Sequence, residues 1–128
     1  MDLQELLNKA WKLKKKSEKL EALKLYNQAF DILSKEAQQH AHDSEGAYED
    51  IEKRGEKIRK ILPKFFNKVR EYLKRNKIAA VISNNMGTIF AKLGDYENAK
   101  KMFEQAIELT PDGENYPDPK TGLQELEK

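Results

Sequence analysis

Apolar side chains recur along this chain at spacings of three and four, the rhythm of amphipathic helices rather than strands. The rhythm predicts one helix from about Leu3 to Lys16 and a second from about Lys19 to His40. His40 to Gly46 is polar and turn-like, with Asp43 or Ser44 as a candidate N-cap for a third helix. Ile51, Ile58, Ile61, Leu62, Phe65, Val69, Tyr72 and Leu73 then keep the helical step through Pro63. Proline removes a helical hydrogen bond and clashes with the preceding turn, so a break or kink near Leu62 is expected, with Pro63 suited to open a new helix. Asn76 is placed to cap the next helix.

Two better-defined helices come after it. Ile78, Val81, Ile82, Ile89, Phe90 and Leu93 mark one, and Ala99, Met102, Phe103, Ala106, Ile107 and Leu109 mark the other. Gly94 suits the left-handed residue that ends a helix, Asp95 suits the next N-cap, and Pro111 stops the second helix. Gly87, Ala99 and Ala106 would let backbones approach. Thr110 to Lys120 holds three prolines and one glycine and reads as a loop. Asp118 and Pro119 read as a capping pair for a short last helix to about Glu127. Trp11, Phe65, Phe66, Phe90 and Phe103 fall in the apolar rhythm and are expected in the core.

Ser83, Met86, Gly87, Phe90, Ala99, Phe103, Ala106 and Pro111 follow one spaced pattern, with Gly94-Asp95-Tyr96 between its halves. Through them, residues Ala80 to Gly113 resemble a tetratricopeptide repeat of 34 residues. Only Ser83 departs from the pattern, which has a bulky aromatic there. Residues 3–36 resemble the same scheme more loosely. Ala22 aligns with Ala99, Tyr26 with Phe103, Ala29 with Ala106, Ala10 with Gly87 and Leu13 with Phe90. Glu21 to Ala29 also resembles the second helix of the microtubule-interacting-and-transport family, a three-helix bundle.

The expected fold class is therefore all-α. TPR-like antiparallel helix pairs would form a short right-handed solenoid with long atypical middle helices and a short C-terminal capping helix. The chain divides into a repeat-like pair at 3–36, a basic helical insert at 44–76, a repeat at 77–113, and a loop with capping helix at 114–128. All would belong to one domain, as 128 residues allow.

Composition narrows the chemistry. There is no cysteine, which removes disulfides, thiolate metal sites and thiol nucleophiles. The longest apolar run is Ile78 to Ile82, far short of the ~20 residues of a membrane span. No basic leader followed by an apolar stretch opens the chain, and with the missing cysteines this suggests a cytoplasmic location. No phosphate loop, zinc-protease motif or nucleophile elbow appears, so neither catalysis nor a cofactor is expected. Glu36, His40 and Asp43 are the one imaginable metal set, and an exposed helix end accounts for them as well.

Charge is unevenly spread. Residues 42–52 carry five acids and no Lys or Arg; residues 53–77 carry eleven bases against two acids. Lys53, Lys57, Lys60, Lys64 and Lys68 form one helical stripe, able to face phosphates, acidic proteins or solvent. The repeat resemblance implies a different surface, a concave groove lined by the first helix of each pair. Its residues would be Asn8, Lys12 and Lys16 from the first pair and Asn84, Asn85, Thr88 and Lys92 from the last. Asn85 matches the asparagine with which some repeat domains grip a C-terminal carboxylate, but Leu7 and Trp11 stand where such a clamp has polar groups. The expected function is a non-catalytic adaptor that binds a protein or peptide, acidic ones included. Self-association through an open end is a further expectation. The alternatives are nucleic-acid or acidic-partner binding through 53–77, and a three-helix adaptor of the microtubule-interacting type.

Overall fold

The computed structural model describes residues 2–15, 18–45 and 58–127. Among them the chain is all-α, with no strand. The helices are α1 (Leu3–Lys15), α2 (Lys19–Glu45), α3 (Ile58–Lys74), α4 (Ile78–Lys92), α5 (Tyr96–Glu108) and α6 (Asp118–Leu126). α1 pairs with α2 and α4 with α5; α3 lies along α2, α4 also packs on α2, and α6 covers α5 and α4.

α2 outruns its expected end because its apolar stripe does. Ala22, Tyr26, Ala29, Leu33, Ala37 and Ala41 are all buried, at steps of three and four that carry the helix past His40. Asp43 and Ser44 are thus inside α2 rather than ahead of a new helix; the Asp43 carboxylate accepts a 2.9 Å bond from Gln39 Nε2. Nor does the chain break at Pro63, which stands inside a continuous α3. Pro63 removes one helical hydrogen bond at a cost of about 3 kcal/mol, and the helix it interrupts packs along α2. Asn76 is not the cap of α4. That place falls to Lys77, in the left-handed region at φ 66 with no side-chain cap bond. Asp118 is the first residue of α6 rather than its cap; Pro117 takes the cap position, and Pro119 is buried in the first turn.

One cluster of buried side chains joins the two helix pairs. Leu6 and Ala10 of α1 and Ala22, Leu25, Tyr26 and Leu33 of α2 meet Ala79, Ala80, Ile82, Met86 and Ile89 of α4, with Leu109 behind. Phe103 is buried at 3%, Phe65 and Phe90 are half-buried, and Trp11 and Phe66 depart from expectation at 45% and 60% exposed.

The α4–α5 turn follows from its sequence. Gly94 has φ 83; its N–H donates to Ala91 O and the Asp95 N–H donates to Phe90 O, the paired bonds of a Schellman end. Asp95 then accepts from the Asn98 N–H at 3.2 Å. A Cβ at Gly94 would touch nothing, so Gly94→Ala tests backbone conformation alone. Its left-handed cost of about 1 kcal/mol should lower the thermal midpoint by about 4 °C, read by circular dichroism.

Candidate functional site between the first and fourth helices

α1 and α4 leave between them a cleft of about 330 Å³ whose floor is α2. Leu7 and Trp11, one helical turn apart, give its α1 wall; Ile78, Val81, Ile82 and Asn85 give its α4 wall. Tyr26 of α2 lies at the base, 1% exposed, and the Asn85 Nδ2 donates to its hydroxyl at 3.3 Å. Burial raises the Tyr26 phenol above its ordinary range, only partly offset by that Asn85 bond. Asn76 and Lys77 form one rim. The cleft is a mostly apolar trough with two amide groups and a cation at its edge.

The residues expected to line one groove do not stay together. Asn85 is in the cleft. Asn8 and Lys12 are exposed on α1, one residue beyond the wall formed by Leu7 and Trp11, and Asn8 Oδ1 accepts from Gln4 Nε2. Lys16 lies outside the described residues. Thr88 and Lys92 line a second cleft of about 340 Å³ with Tyr96 and Glu125, between α4 and α6. Asn84 is turned inward at 8% exposed, and its Oδ1 has no hydrogen-bond partner among the described residues. The amide lies beside the Tyr116 phenol, which burial first and the Asp118 charge second push up to about 12, with the Asn84 bond acting the other way. Leu7, Trp11 and Val81 are the cleft residues with the weakest signal in the sequence. Trp11 and Val81 fit the apolar rhythm of core positions, and Leu7 and Trp11 are marked only by their place in the clamp pattern.

The basic segment is partly committed within the chain. Arg70 pairs with Glu108 at 3.2 Å, Lys74 with Asp112 at 2.8 Å and Lys77 with Glu114 at 3.5 Å. These contacts tie the last turns of α3 and the α4 cap to the end of α5 and the acidic loop after it. Lys53 and Lys57 lie outside the described residues; Lys60 and Lys64 fall in α3, and Lys68 there is half-buried. On α2, Glu36 and His40 do share a face, and they meet Tyr72 of α3. The Tyr72 hydroxyl donates to Glu36 Oε2 at 3.4 Å, and the His40 and Tyr72 rings are 5.1 Å apart. No three His, Cys, Asp or Glu side chains converge as a metal set among the described residues.

Residues 80–112 match the family model of the tetratricopeptide repeat. That span is α4, α5 and the turn between them, with the residues just past α5. No curated protein and no solved structure matches the chain. No helix among the described residues is long and apolar enough to cross a membrane.

Proposed function

We propose that this chain, which carries a tetratricopeptide repeat over residues 80–112, is a non-catalytic adaptor that holds a peptide or partner helix in the cleft between α1 and α4. The observation that carries this reading is Trp11. A large aromatic side chain, 45% exposed, stands on the wall of an apolar trough instead of in the core. Half-exposed tryptophans over pockets are the kind of residue that dominates binding energy in protein interfaces. In this reading 3–36 is a diverged repeat pair, stacked with 77–113 as a short right-handed solenoid and closed by α6. Asn85 supplies the polar contact in the trough, and Asn8 and Lys12 border it. Thr88 and Lys92 would serve a partner long enough to reach α6. A cytoplasmic setting belongs to this reading too, as does self-association where no other partner fills the trough.

Nucleic-acid binding through 53–77 ranks behind it. Arg70, Lys74 and Lys77 already face carboxylates of the same chain, and phosphate binding would have to displace them. A capture experiment with the whole chain separates the two. Proteins retained through nuclease and high salt by the wild type, and lost about tenfold by Trp11→Glu, are the expected result. Bound nucleic acid that washes away with salt and ignores Trp11→Glu would move the working surface to the basic segment.

A further inference from the structure

The rim of the α1–α4 cleft carries a cation that the chain itself occupies. Lys77 lines the cleft, while its ammonium lies 3.5 Å from the Glu114 carboxylate and 4.5 Å from the centre of the Tyr116 ring. Its backbone is fixed in a left-handed conformation as the cap of α4, so the residue is held at the rim. Glu114 is held far less firmly. Its side chain is 48% exposed, and that of Asp112, two residues earlier on Lys74, is 96% exposed. Exposed pairs of this kind contribute little and exchange partners readily. The far end of the loop is firmer, because Tyr116 packs against the core and Pro119 is buried. Freeing the Glu114 carboxylate would leave the Glu114 N–H bond to Pro111 O and the Lys74–Asp112 pair in place, so the side chain can leave Lys77 without undocking α6.

We propose that Glu114, which lines the neighbouring hollow of the 110–117 loop rather than the cleft itself, is a displaceable latch on the Lys77 cation at the cleft rim. Glu114 occupies Lys77 until a partner brings a large apolar side chain for the trough and a carboxylate beside it, and that carboxylate takes the place of Glu114. The inference rests on the cleft being the peptide site. The partner class follows from complementarity: an apolar wall at Leu7, Trp11 and Val81, and beside it a cation that already accepts a carboxylate.

Random twelve-residue peptides displayed on phage, selected on the immobilised full chain, supply the probe. The most enriched peptide, labelled and synthesised, is followed by fluorescence anisotropy. Enriched sequences should place Asp or Glu within two residues of Leu, Phe or Trp. Glu114→Gln should tighten binding about two- to fivefold, and Lys77→Met should erase that gain. Replacing the peptide's acid by its amide is the second measurement, which needs no protein variant; it should weaken binding to the wild type and leave Lys77→Met indifferent. Peptides without the acid, or affinity unchanged by Glu114→Gln, overturn the latch while loss of binding in Trp11→Ala keeps the cleft. Binding that survives Trp11→Ala, or no enrichment at all, removes the cleft reading and the latch with it.

Discussion

Alanine at Gly122 is expected to destabilise the protein, although glycine-to-alanine in a helix ordinarily stabilises by about 1 kcal/mol. The reason is the Phe103 ring. A Cβ on Gly122 would stand 2.5 Å from Phe103 Cζ, and one on Gly87 would stand 2.8 Å from Cδ1. The ring is 3% exposed and wedged between the backbones of α4 and α6, so it has little room to yield. Overpacking of this kind costs about 1–3 kcal/mol. The test is urea unfolding of Gly122→Ala, Phe103→Leu and the double variant. Each single change should destabilise, and the pair should be more stable than their sum, because the smaller side chain makes room for the methyl. Phe103→Ala should be the most damaging change at this point, at about 3–5 kcal/mol, a large share of the 5–15 kcal/mol of a typical domain. A Gly122→Ala protein as stable as the wild type would mean that α6 does not press on the ring.

The same ring shows what was legible in the sequence. The aligned small and bulky positions of the two pairs read through directly. Ala10, Ala22 and Ala29 are buried as Gly87, Ala99 and Ala106 are, and Tyr26 and Phe103 are both buried. These positions obey a local rule, since the contact between paired helices fixes side-chain size at each crossing. Gly122 lacks such a marker, because nothing before the fold says that its helix returns to Phe103. The helix ends that depart from the sequence pattern do so for a related reason. Asp43, Asn76 and Asp118 have good capping chemistry, but α2 is drawn onward by Ala37 and Ala41. α4 starts from Lys77, whose side chain is engaged by Glu114 and Tyr116. The cleft was half legible. Asn85 was found by family pattern, whereas Leu7, Trp11 and Val81 have the helical spacing of core residues. Whether a wall faces a neighbour or a trough depends on how far apart α1 and α4 stand, which no spacing within one helix encodes. The basic segment was visible as charge; that Arg70 and Lys74 meet Glu108 and Asp112 is a long-range fact.

A chain of residues 1–77 is expected to lose cooperative unfolding. Among the described residues, six of the fourteen buried in the shared cluster belong to the removed part: Ala79, Ala80, Ile82, Met86, Ile89 and Leu109. Each of the four larger ones represents about 1.5–3 kcal/mol of burial, so their sum rivals the stability of a small domain. Tyr26, 1% exposed in the whole chain, would also lose its Asn85 contact and its cover from α4. What remains is α1, α2 and α3, with a basic α3 deprived of Glu108 and Asp112. α1 and α3 still pack on α2, but the apolar face that α2 turned to α4 is left bare. The fragment should therefore show reduced helicity by circular dichroism and a broad, sloping thermal profile where the full chain melts sharply. A sharp transition from the fragment would have the opposite meaning. It would make α1–α3 an independent three-helix unit, as the microtubule-interacting resemblance implies, and α4–α6 an attachment. A cleft between two independently folded parts could open and close, and its walls would not be preformed for a peptide. The cooperativity of 1–77 thus decides between a rigid trough and a hinge.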